Sequence, residues 1–281
     1  MGGQHLSGIT CEVCHDGVVA YEGDEQAREE AAAHLVSEDE AERLREQCAR
    51  KAAELGESGV RGHTVSFSVT AWDEQHGLPD GIPRTGRISR GDVLDIGERV
   101  RAAMLRATDL LAASFVWGWG TTGYGPRRYR DICAAAGDRL ESSLQRVLAE
   151  INKDPGSPDL IAGYAQLYGG YDYENRGAPG HEPWSRLRGF GPAFFTKFLY
   201  FSTPGALILD NRLANAIHSR SRLSYLVTEK DRSLAWTPYR YAVYLHWMGQ
   251  TALVAGVEPD ILELTLFRPP GDLNDEHDAA D

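Results

Sequence analysis

Cysteine is scarce, with four in 281 residues, too few for a disulfide framework in a chain of this length. No apolar run approaches the length of a membrane span, and the opening Met1-Gly-Gly-Gln-His5 has no apolar core of a secretory signal. A cytoplasmic protein with no membrane partner is the expectation. There is no internal repeat, so a solenoid is excluded. A second Cys-x-x-Cys pair is also missing. Cys11-Glu-Val-Cys14-His15 matches a haem-attachment string, but no export signal or cytochrome-like context accompanies it. Zinc on Cys11 and Cys14 would need help from His34, Cys48 or His63. The segment reads as an acidic terminus, and neither a cofactor nor a metal is expected.

Positive charge is short as well. The net charge of −12 argues against nucleic acid, because neutralising phosphates takes Lys and Arg. Its distribution along the chain weakens that objection. Residues 1–60 carry 14 acidic against 5 basic side chains, the tail from Gly271 to Asp281 adds five more acids, and the interior is left at +2. Arg127, Arg128, Arg130, Arg186, Arg188, Lys197, Arg212, Arg220 and Arg222 are clustered in that interior, where a local basic face is compatible with DNA.

What is present is mostly helical patterning. Residues 22–55 form an acidic helical stretch with a capping pattern at Ser37-Glu-Asp-Glu40. Val60–Trp72 alternates, with Val65, Phe67 and Val69 on one face, and is the one strand candidate. A helix starts at Ser89-Arg-Gly-Asp92 and its apolar spacing continues through Phe115. The run Trp117-Gly-Trp-Gly-Thr-Thr-Gly-Tyr-Gly-Pro126 reads as an aromatic loop. Helical patterns resume at 127–136, 138–151 and 157–168, a polar-aromatic loop spans 169–180, and later helices cover 237–254 and the stretch from Pro259. The reading is a mainly α protein with one short β segment. Its parts are an acidic helical extension (1–58), a helical domain (59–270) and an acidic tail (271–281). Removing the extension is expected to leave the fold intact.

Two features between Arg186 and Ile217 carry chemistry. Arg188-Gly-Phe-Gly191 is a Gly-x-Gly turn before an apolar helix, with Pro192 in its first turn. Such a turn lets backbone approach an anion, and the N–H groups of the helix start can hold a phosphate. Alone it reads as an ordinary tight turn between two packed helices. Asp210, 19 residues after Gly191, follows Ala206-Leu-Ile-Leu209 and opens a second helix. There the helix dipole favours an ionised carboxylate, although Asp is also a common N-cap for stability alone.

Together, Leu187-Arg-Gly-Phe-Gly191 and Leu209-Asp-Asn-Arg-Leu213 resemble the glycine hairpin and aspartate block of the helix-hairpin-helix DNA glycosylase superfamily. The Trp117–Pro126 segment and the closing Glu258–Phe267 stretch resemble its bacterial branch with the 8-oxoguanine DNA glycosylase fold. The resemblance implies an enzyme that flips a nucleotide from duplex DNA and hydrolyses the N-glycosidic bond of a damaged or modified purine, 8-oxoguanine being the nearest. Asp210 would stabilise the sugar cation and orient water. Arg188, Gly189, Gly191, Arg127, Arg128 and Arg212 would contact phosphates, and Trp117, Trp119, Tyr124 and Gln250 would form the base pocket.

Bifunctional members carry a Schiff-base lysine two residues after the second turn glycine, where this chain has Ala193. Lys197 lies one helical turn further on the same face, within reach of the pocket, but reads as a snorkelling surface lysine. A monofunctional enzyme is therefore expected. Two other classes remain open: a non-catalytic reader of modified bases, in repair or in the anti-phage systems that relatives of this branch accompany, and an interaction module that recruits a protein partner through its acidic N-terminal segment.

Overall fold

The computed structural model describes residues 23–154, 156–171, 184–221, 223, 226 and 234–267. Cys11, Cys14, Arg222, the acidic tail and most of the 169–180 loop lie outside them.

Polar caps start several helices. The Ser37 hydroxyl accepts from Glu40 N–H at the start of α2 (Glu38–Leu55), which follows α1 (Asp24–Ala33). A reciprocal Ser89–Asp92 capping box opens α4 (Arg90–Arg101) as the sequence indicates. The strand candidate shortens to β1 (Thr64–Ser66), because Ser68 caps a helix, α3 (Val69–Gln75), within the alternating run. Strand β1 pairs antiparallel with β2 (Arg87–Ser89), Val65 opposite Ile88.

Helix α5 (Ala107–Trp119) forms the centre. Every residue from Leu110 to Trp117 is buried, as expected of a helix apolar on all sides. Around it pack α4, α6 (Tyr124–Ala136), α7 (Arg139–Ile151) and α9 (Pro192–Ser202). The single helix expected from Ser89 to Phe115 is two, broken by Ala103 in a left-handed conformation at φ 55°. The remaining helices are α8 (Leu160–Tyr168), α10 (Asn211–Ser221), α11 (Pro238–Ala255) and α12 (Pro259–Leu266).

The supposed aromatic loop is largely helical, α5 running through Trp119 and α6 beginning at Tyr124. Its glycines serve close packing. A Cβ on Gly118 would come within 2.9 Å of both Lys197 Cδ and Phe194 Cε1, and one on Gly125 within 2.7 Å of Trp119 Cβ. Composition alone could not distinguish glycines that let helices approach from glycines that break them.

Helices α1 and α2 are packed into the main body. Ala27, Ala31, Leu44 and Cys48 are buried against α11 and α12, Trp247 Nε1–H donates to His34 O at 2.9 Å, and Arg220 pairs with Glu40 and Gln47. A detachable extension does not follow from such packing, and its removal would expose the apolar face of α11.

Candidate active site

Asp210 owes its position to an unusual piece of chain. Ala206–Leu209 is fully buried and belongs to no helix or sheet among the described residues, so side chains must satisfy its backbone groups. Tyr241 and Tyr244 on α11 donate hydroxyl protons to Leu207 O and Ile208 O. Thr196 on α9 accepts from Leu209 N–H at 3.0 Å and also bonds its carbonyl. Glu263 on α12 accepts from Ile208 N–H at 2.7 Å. Glu263 in turn meets Arg90 at 3.0 Å, both being essentially without solvent exposure, and Arg90 also donates to the Tyr200 hydroxyl. Burial raises the Glu263 carboxyl above the usual carboxylate range, a shift that Arg90 opposes.

At the end of this segment Asp210 enters α10. Its Oδ1 accepts from Arg212 N–H and Leu213 N–H, each at 3.1 Å, so it does cap its own helix. Its Oδ2 stands 3.7 Å from Lys197 Nζ. The expectation of a surface Lys197 is overturned here: the side chain is buried on α9, with Nζ also donating to Ala193 O at 3.3 Å and lying 5.2 Å from the Phe194 ring. Close approach of α5 at Gly118 encloses it. Burial pulls its pKa below the usual lysine value, and Asp210 and Glu263 pull it back only in part.

Lys197 and Asp210 line a cleft of about 590 Å³, large enough for a nucleobase and sugar. His63, Arg90, Trp117, Trp119, Arg212 and Glu263 also face it. Trp117 is buried edge-on to His63, with ring centroids 5.6 Å apart, and the Arg90 guanidinium lies 5.1 Å from the indole. Trp119 stacks on Phe194 at 5.5 Å, with Tyr124 edge-on to it and half-exposed at the rim. Gln250 does not join them. It sits on α11 against α1, its amide reaching Arg28 O, because the N-terminal helices cover that face.

The glycine turn is built as the sequence suggests. Gly189 has φ +84°, Phe190 N–H bonds Leu187 O at 3.2 Å, and Gly191 caps α9 with Pro192 in the first turn. Arg188 and Gly189 are exposed, and the Arg128 guanidinium comes to the turn. Arg127, Arg128, Arg186, Arg188 and Arg212 form no ion pair among the described residues, whereas Arg130 and Arg220 are engaged internally. Among the described residues no group of His, Cys, Asp and Glu could hold a metal, and no helix is long and apolar enough to cross a membrane. A second cavity, about 630 Å³, lies beside α2, α11 and α12. Its polar lining is Glu258 and Asp260 without a basic side chain, the wrong sign for phosphate.

Sequence reasoning missed Arg90, Thr196 and Glu263, and considered His63 only as a helper to zinc. A signal for Glu263 existed: it interrupts the apolar stretch Ile261-Leu-Glu-Leu-Thr-Leu266, where a charge implies a buried partner. His63 carries its own test. Burial, with Arg90 and Lys51 adding to it, lowers its pKa from 6.5 to about 4. An unfolded chain would bind a proton there below pH 6.5 while the folded one would not, so this site removes stability as pH falls from 6.5 towards 4. His63→Phe is expected to flatten that part of the stability–pH profile, measured by urea unfolding at stepped pH; an unchanged slope would contradict it.

Residues 58–267 match the family model described as "Putative 8-oxoguanine DNA glycosylase OGG-like protein". A search of curated proteins and a search of solved structures each found no match.

Proposed function

The chain belongs to this OGG-like 8-oxoguanine DNA glycosylase family, and from that premise we propose that it excises a damaged or modified purine, 8-oxoguanine first, from duplex DNA, with Lys197 and Asp210 as the reacting pair. The observation that carries the reading is the 3.7 Å approach of a buried amine to a carboxylate on the wall of a nucleotide-sized cleft. The phosphate backbone would run over Arg127, Arg128, Arg188, Arg212 and the Gly189–Gly191 turn, holding the duplex while the nucleotide rotates out. Trp119 and Tyr124 at the rim would stack on the extruded base or fill its gap.

Cleavage of the glycosidic bond builds positive charge on the sugar, and the Asp210 carboxylate stabilises it. A burial-lowered pKa leaves more of Lys197 as the neutral amine that attack requires. Its attack forms the C1′–Nζ bond as C1′–N9 breaks, the base leaving with the bonding electrons and taking up a proton. Opening of the sugar then breaks C1′–O4′ as the C1′=Nζ imine forms, O4′ taking up a proton from Nζ, and loss of a C2′ proton forms C2′=C3′ and expels the 3′ phosphate. The monofunctional expectation depended on Ala193 and on a surface Lys197, and the second premise has failed.

The test is single-turnover excision from duplexes carrying 8-oxoguanine opposite cytosine, developed with and without alkali. Release of base, with strand cleavage before alkali that Lys197→Gln abolishes, supports the reading. Tight binding of the modified duplex without release of any base would favour the non-catalytic reader, consistent with the use of Asp210 Oδ1 as a helix cap.

A further inference from the structure

Several buried polar atoms without partners belong to residues around one cavity. Eleven such side-chain atoms occur among the described residues, and four belong to residues lining the Lys197–Asp210 cleft: His63 Nδ1, Arg90 Nε, Trp117 Nε1 and Trp119 Nε1. Folded proteins leave few such atoms, since each forgoes a hydrogen bond it would have made with water. A cluster around one cavity therefore indicates groups that a ligand completes.

Two of the four, Trp117 and His63, belong to neighbouring rings on the wall of that cleft. Trp117 is 6% exposed, and Phe201 and Arg90 fix its ring at 5.4 and 5.1 Å. An indole N–H can only donate, so it requires an acceptor. His63 stands edge-on to that indole, and its backbone carbonyl accepts from Arg90 N–H at 2.8 Å. Kept neutral by burial, its imidazole retains one nitrogen able to accept.

Building on the glycosylase reading, we propose that Trp117 and His63 are specificity residues that select a base with a lactam edge, Trp117 Nε1–H donating to the base carbonyl and His63 Nδ1 accepting from the ring N–H beside it. Bases without that edge would leave the buried indole N–H and imidazole nitrogen unpaired, and sites built to hydrogen-bond a ligand reject the deficient one strongly. The chemistry separates candidate substrates. 8-Oxoguanine has two lactam edges, N1–H/C6=O and N7–H/C8=O. Hypoxanthine keeps only the first, 8-oxoadenine only the second, and 1,N6-ethenoadenine has neither.

The experiment compares single-turnover excision of these four bases, in duplexes of one sequence, by the wild type, Trp117→Phe and His63→Phe, with thermal melting to confirm that each variant is folded. The wild type is expected to release 8-oxoguanine and one of the single-edge bases at least about 100-fold faster than ethenoadenine. Which single-edge base is processed identifies the edge that is read. Each variant is expected to narrow that ratio by about tenfold. Variants that slow all four bases equally, or a wild type that prefers ethenoadenine, would overturn the proposal while leaving the glycosylase reading in place. If the wild type releases nothing, the glycosylase reading fails. The affinity ratio for the same duplexes then decides: a lactam preference lost in Trp117→Phe supports the reading of the base, and equal affinities overturn it.

Discussion

Replacing Asp210 by Asn is expected to lower base release by about 10²–10³-fold while leaving stability nearly unchanged. The two carboxylate oxygens have separate tasks. Oδ1 accepts from Arg212 and Leu213 N–H, and Asn presents a carbonyl oxygen for the same bonds at a position where it caps as well as Asp. Oδ2 faces Lys197, and there an amide carries no charge to balance a sugar cation. Single-turnover kinetics with thermal melting separates the tasks. Equal rates for mutant and wild type would reduce Asp210 to a cap; a large fall in melting temperature would mean that its charge holds the fold.

Glu263→Ala is expected to cost about 3–5 kcal/mol in urea unfolding, the usual result of stripping one member from a buried ion pair. The variant leaves Arg90 charged and buried against Tyr200 and Trp117, and leaves Ile208 N–H without its acceptor. The double variant Arg90→Met with Glu263→Leu removes both charges and is expected to recover part of the loss. Recovery should stop about 1–3 kcal/mol short, because Ile208 N–H is still unpaired. Full recovery would show that Glu263 serves Arg90 alone. A Glu263→Ala cost below about 1 kcal/mol would contradict the role of this pair in holding the chain two residues before Asp210.

Local signals in the sequence reached the structure where local chemistry decides. Ser89–Asp92 reads as a cap and is one, Gly189 and Gly191 read as a turn and form one, and most helix spans follow their apolar spacing. Long-range packing was not legible. Nothing near Lys197 in sequence reveals that Gly118, 79 residues earlier, draws α5 against it and buries it. Likewise, nothing in the apolar string Ala206–Leu209 reveals that α9, α11 and α12 supply its hydrogen bonds through Thr196, Tyr241, Tyr244 and Glu263. The base-pocket assignment of Gln250 failed for the same kind of reason, since α1 and α2 occupy the face of α11 that it was expected to present to DNA.

Chemical trapping with borohydride tests the Lys197–Asp210 centre most directly. Full-length protein is incubated with an 8-oxoguanine duplex, the imine is reduced, and the modified peptide is mapped by mass spectrometry. A protein–DNA adduct attached at Lys197, absent in Lys197→Gln, is the expected result. Base release by the wild type with no adduct, or an adduct on another residue, would contradict it.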